Sequence, residues 1–237
     1  MMVHCTFLLP EFEAATKVLS MMSPSDGLEL ELTRAAGARL GPDAEREVRR
    51  TLAFAKSLQS HSADHPNLTA YLSHPVRVAT IVGAMEDEPQ LESVQIGLIH
   101  NVFEVCGLSE VDLIRAEYSE RAARAIRLLT VDRRREFDAD YVSQYCAEIE
   151  RFGERLSLIR CVDKLDNILG LELFGDDEVR ERYLDLALQF VGPMAARLSP
   201  EFGRYFEGAV QYSRRVGCNR DLLAKYQAFL ADLPTSQ

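Results

Sequence analysis

Residues 154–173 constrain the fold more than any other stretch. Leu158, Ile159, Val162, Leu165, Ile168 and Leu169 recur there at steps of three and four, the period of one helix face. The same period returns along the chain. It is carried by Leu91, Val94, Leu98, Ile99 and Val102 over residues 91–103, and by Ala122, Ala125, Ile126 and Leu129 over 119–129. Tyr141, Tyr145 and Ile149 carry it over 137–152. Further helices are predicted over 76–85, 177–198, 201–216 and 221–233, with Pro193 kinking or ending one of them. No run of strands alternates with these helices, and no repeat or Gly/Ser linker divides them. Apolar stripes of this kind are buried by packing helix on helix, so the expected class is all-α. One domain is expected over residues 43–237, preceded by an N-terminal extension, residues 1–42.

Within the extension, residues 11–22 fit a short helix stopped at Ser23-Pro24-Ser25-Asp26-Gly27. Leu28-Glu29-Leu30-Glu31-Leu32 fits either a strand or the start of a helix. Gly41-Pro42 punctuates the chain, and Asp43 is placed to cap a helix reaching about residue 60. Residues 61–67 are polar and read as a loop. Pro75 suits a first helical turn, which puts His74 at a helix N-terminus. Gly107 breaks the pattern after residue 103, and Ser109 with Asp112 reads as a cap.

Of the 237 residues 47% are hydrophobic, enough for a substantial core. The formal net charge of −10 argues against non-specific nucleic-acid binding and against an anionic membrane surface. No apolar run approaches the ~20 residues of a membrane span, and the N-terminus lacks a cationic leader. The five cysteines are scattered without a CxxC, the usage of reduced thiols in a cytoplasmic protein. The oligomeric state is left open.

Chemistry-bearing residues gather in three places. His74 lies in Tyr71-Leu72-Ser73-His74-Pro75, and His100, Asn101 and Glu104 follow the apolar run ending at Ile99. Asp163 sits among apolar residues in the third. Imidazole nitrogen and carboxylate oxygen together suit a divalent ion, although both histidines also fit a packed core. A buried aspartate needs a cation, a metal or hydrogen bonds, and Arg160 and Lys164 are near enough in sequence to serve. On a continuous helix Glu104 would lie one turn from His100, and Asn167 one turn from Asp163. Arg133-Arg134-Arg135 reads as a phosphate clamp or as a solvated turn paired with Glu136 and Asp138. His61 and His65 are surface loop candidates that could stand in for a ligand.

Taken in order, these segments resemble the HD-domain phosphohydrolases. The nearest likeness is to the hydrolase domain of the RelA/SpoT group and its small stand-alone relatives. Tyr71-Leu72-Ser73-His74-Pro75-Val76-Arg77-Val78-Ala79 is similar to the family's Tyr-Ile-x-His-Pro-x-x-Val-Ala. Gly97-Leu98-Ile99-His100-Asn101-Val102-Phe103-Glu104-Val105 is similar to Ala-Leu-Leu-His-Asp-x-x-Glu-Asp. Residues 158–167 are similar to Ile-Lys-Leu-Ala-Asp-Arg-Leu-His-Asn. The likeness spans about residues 50–170.

It implies a helical domain that removes the 3′-pyrophosphate from guanosine tetra- and pentaphosphate alarmones. The implied manganese ligands are His74, His100, the Asn101 position and Asp163. Glu104 takes the place of the glutamate that orients the attacking water, and Lys164 and Asn167 that of nucleotide-pocket residues. Arg133 and Arg134 are added as phosphate-binding candidates. Three departures bear on activity. Asn101 stands where the family has aspartate, which removes one negative charge from the ligand set. Val105 replaces an acid, and no basic, Gly-containing segment precedes His74, since residues 60–67 hold no Arg or Lys. The expected function is a metal-dependent phosphohydrolase acting on a nucleotide pyrophosphate. The alternatives are a relative that binds a nucleotide as sensor or regulator, and a helical scaffold.

Overall fold

The computed structural model describes residues 3, 7–23, 25–60 and 71–233. The described residues are all-α: an isolated bridge between Val3 and Glu86 is the only β pairing among them. The helices run α1 (Pro10–Met21), α2 (Asp26–Leu40), α3 (Pro42–Ser57), α4 (Ser73–Met85), α5 (Leu91–Ile99), α6 (Val102–Cys106) and α7 (Glu110–Arg115). They continue α8 (Glu120–Leu129), α9 (Ala139–Phe152), α10 (Glu154–Leu169), α11 (Asp177–Leu186), α12 (Gly192–Leu198), α13 (Pro200–Val216) and α14 (Arg220–Asp232). None is long and apolar enough to cross a membrane.

Helix α10 is the centre. It packs against α1, α4, α5, α9, α12 and α13. Leu158, Ile159, Val162 and Leu165 are buried on one side. Being enclosed all round, α10 also buries a polar stripe, Arg160, Asp163 and Asp166, at successive steps of three. Gly153, at φ 139°, makes the turn that joins α9 to α10, a conformation L side chains rarely adopt.

Several boundaries differ from the sequence expectation, each for a local reason. Of the two readings of residues 28–32 the helix is the one found, because α2 packs on α3 and α4 and buries Leu32, Thr33 and Ala36. Helix α3 starts at Pro42 rather than after an Asp43 cap, and Asp43 instead pairs with Arg46 on the exposed face. The long helix expected over 177–198 is divided. Pro193 has no N–H to continue the ladder, and a π-helical turn, Ala187–Val191, lies between α11 and α12. The Ser109–Asp112 capping box is present. Ala14, Leu32 and Ala36 of α1 and α2 belong to the same apolar cluster as α10, so the extension is built into the core. The loop expected over 61–67, with His61 and His65, lies outside the described residues.

Helices α4 and α5 approach closely at Gly97, where an added Cβ would sit 3.0 Å from the Cα of Ala79. This contact sets α4, with His74 in its first turn, beside α5, which His100 caps at its C-terminus. Gly97→Ala is expected to cost about 1–3 kcal/mol, the usual range for overpacking against an unyielding neighbour. Urea unfolding with an unchanged slope and a lower midpoint would show it.

A candidate metal centre and its cavity

His100 and Asn101 break what the sequence suggested was one helix. The His100 Nδ1–H donates to the Gly97 carbonyl at 2.7 Å, so a side chain satisfies a carbonyl at the end of α5. Asn101 then adopts φ −103°, ψ 5°, and α6 begins at Val102. Because the donor on His100 is Nδ1, its neutral ring presents a bare Nε2 on the other side.

His74 is arranged the same way. Its Nδ1 lies 2.8 Å from Asp166 Oδ2, and an ionised carboxylate only accepts. The Nε2 atoms of His74 and His100 then converge on Asp163 Oδ1, at 3.3 and 3.4 Å. Both Nε2 atoms are buried without a hydrogen bond of good geometry. Asp163 is held by Arg160 Nη1 at 2.6 Å on Oδ2, and by Asn167 Nδ2 at 2.9 Å on Oδ1. Donor atoms of His74, His100 and Asp163 all lie within 4.8 Å of one another. Two imidazole lone pairs and a carboxylate oxygen repel one another unless a proton or a cation lies between them. Two nitrogens and one anionic oxygen are donors that a divalent ion takes readily, so the residues fit a metal.

Charge inside this cluster is strongly coupled. The imidazoles beside Asp163, with Arg160, hold its carboxyl well below the ordinary 3.8 despite burial that works the other way. Asp166 is likewise held far down against its burial by Lys17 and Arg77. Asp163 and Asp166 raise the His74 pKa above 6.5, outweighing desolvation. The signs give a pH dependence for the metal-free protein. Stability contributed by the two carboxylates is complete above 3.8 and is lost as pH falls through their depressed values. Stability from His74 is complete below 6.5 and is lost as pH rises through its raised value. Unfolding free energy is expected to fall on both sides of that window, which denaturant titrations across pH will check.

A cavity of about 560 Å³ opens beside the triad. Tyr71, Tyr141, Tyr145, Tyr183 and Tyr226, five of the chain's eight tyrosines, line it. His74, Asn101, Glu104, Asp163, Lys164, Asn167 and Arg133 of the sequence-predicted set also face it. His100 and Arg134 do not: His100 is buried behind the wall, and Arg134 is exposed, its backbone N–H donating to Asp132 Oδ1. Asn101 donates its amide to the Tyr71 hydroxyl, which leaves the amide oxygen as the end available to a ligand.

Glu104 does not continue a face from His100, because the helix is interrupted between them. Its Oε1 accepts from the Val131 N–H at 2.6 Å, and its Oε2 meets Arg133 at 2.8 Å. Arg133 also reaches Glu136 at 3.0 Å, and Arg135 reaches Asp138. The arginine turn is thus paired with the two acids beside it, while Arg133 still borders the cavity. Lys164 lies over the Tyr183 ring, 3.6 Å from its centroid. Burial and the nearby Arg160 push its pKa well below 10.5. Among the described residues it is the cavity-lining cation without a carboxylate partner.

The sequence reading missed Asp166, Arg77 and Lys17. Asp166 had a signal, since it follows Asp163 by three residues on one helix. Lys17 had none, because its partner is 149 residues away. The chain matches no family model and no curated protein sequence.

Proposed function

We propose that this chain is a divalent-metal phosphohydrolase of the HD type that acts on a nucleotide pyrophosphate, with guanosine alarmones as the substrate class. The observation that carries the reading is the convergence of His74 Nε2, His100 Nε2 and Asp163 Oδ1 on one another, with His74 and Asp163 also lining a cavity. Those three residues would hold the ion, with the Asn101 amide oxygen as a neutral fourth donor. Bound there, a divalent ion supplies Lewis-acid polarisation of a phosphoryl oxygen and a lowered pKa for water. Lys164, with no anionic partner to displace, offsets phosphate charge. The tyrosines offer faces on which a purine stacks. Glu104 orients water once Arg133 turns from it to a phosphate, an exchange for which a guanidinium fork is suited.

A second reading has a specific observation in its favour. Both Glu104 oxygens are engaged, by Val131 and Arg133. If that pairing persists with ligand bound, the protein binds a nucleotide without hydrolysing it and acts as a sensor. Guanosine tetraphosphate turnover with added manganese, run beside equilibrium binding of the same nucleotide, separates the two. Turnover supports the enzyme, binding alone supports the sensor, and neither overturns both.

A further inference from the structure

Asp166 is fully buried and accepts from three nitrogens: His74 Nδ1 at 2.8 Å, Arg77 Nε at 2.8 Å and Lys17 Nζ. None of these belongs to the proposed ligand set except His74, whose ligating atom is on the other side of the ring. Lys17 comes from α1, and its side chain is itself almost wholly buried against α10. Glu13 of α1 approaches the same group, 3.8 Å from Arg77 Nη2. A histidine whose far nitrogen is held by a fixed carboxylate has its tautomer and its ring angle set. Here the carboxylate is in turn fixed by two basic side chains, Arg77 and Lys17, the second carried by the N-terminal helix.

We infer that Asp166 is the positioning residue of the site, and that α1 completes it through Lys17. The chain Lys17–Asp166–His74 holds the imidazole with Nδ1 protonated and Nε2 bare and aimed at Asp163. The purpose of that bare nitrogen rests on the metal reading above; the tautomer and its dependence on Asp166 do not. Without Lys17, Arg77 alone fixes Asp166, and without the Asp166 charge His74 is free to exchange tautomers and to turn. Loss of an outer partner of this kind typically lowers metal affinity by about 10- to 100-fold.

The test uses the full chain. Long-range proton–nitrogen correlation spectra of the metal-free protein, taken at a pH where imidazole is neutral, read the His74 tautomer directly. The wild type is expected to show Nδ1–H, and Asp166→Asn a mixture. Manganese titrations are expected to show about 10- to 100-fold weaker binding in Asp166→Asn and in Lys17→Met, with Lys17→Arg close to wild type. If Asp166→Asn does not fold, the two Lys17 variants and the wild-type spectrum decide the matter. A wild-type His74 carrying its proton on Nε2 overturns the inference. So does a wild type that takes up manganese but binds it no more tightly than Lys17→Met. A wild type that shows Nδ1–H but takes up no manganese overturns the metal reading and supports the positioning role of Asp166.

Discussion

Asp163→Asn will remove most of the manganese affinity, by more than the ~100-fold upper range for losing an outer partner. It will also destabilise the metal-free protein by about 3–5 kcal/mol. The first effect follows from what Asp163 supplies: the one anionic donor among the three convergent groups. Asparagine keeps an oxygen there but not the charge that a hard divalent ion requires. The second follows from Arg160, whose Nη1 sits 2.6 Å from Asp163 Oδ2 with both side chains buried. A neutral partner leaves that guanidinium buried beside the Tyr145 ring, 5.0 Å away, without its counter-charge. Breaking a buried pair from one side costs more than the pair is worth intact, because the surviving charge is stranded. Manganese titration and urea unfolding of the same preparation measure the two effects separately. Unchanged manganese affinity would remove the triad as the metal site, whatever happens to stability.

How far the sequence could be read depended on the range of the interactions involved. Helix α10 was visible because its apolar period is a local property, set within a few residues by the geometry of the helix itself. The three strands of evidence for a site, His74, His100 and Asp163, were visible as residue types in context, and the fold does bring them together. The break at His100-Asn101 was not visible. Its cause is a ring nitrogen bonding back to Gly97, and apolar spacing carries no information about that bond. The expected alignment of Glu104 with His100 assumed an unbroken helix, so it went with the break. The strand-like alternation of residues 28–32 leaves strand and helix both open for the opposite reason. It is a local pattern that the packing of α2 on α3 and α4 overrides. Lys17 and Asp166 mark the limit: a pair so far apart in the chain leaves no trace in either neighbourhood.

Asn101→Asp is expected to tighten manganese binding by roughly 10- to 100-fold. Two terms compete. A unit charge about 4 Å from another is worth about 4 kcal/mol at an effective dielectric constant of 20, and a divalent ion raises that further. Against it stands the desolvation of a new carboxylate in a site that already holds Asp163 and Asp166, a cost of several kcal/mol per buried ion. Asn101 is only partly buried and borders the cavity, so the desolvation is incomplete and attraction to the ion prevails. In the absence of metal the balance reverses. The added negative charge then has no ion to meet, and the hydrogen bond from the Asn101 amide to the Tyr71 hydroxyl is lost. Tyr71 can restore a bond by donating its hydroxyl to the carboxylate, which burial favours by keeping the phenol protonated. The variant should therefore be less stable than wild type without manganese and more stable with it. That crossing in thermal melts is a signature which a change of fold stability alone does not produce. Equal manganese affinity in variant and wild type would place Asn101 outside the ligand set. The site would then rest on three protein donors, and the amide's role would be to hold Tyr71 at the cavity wall.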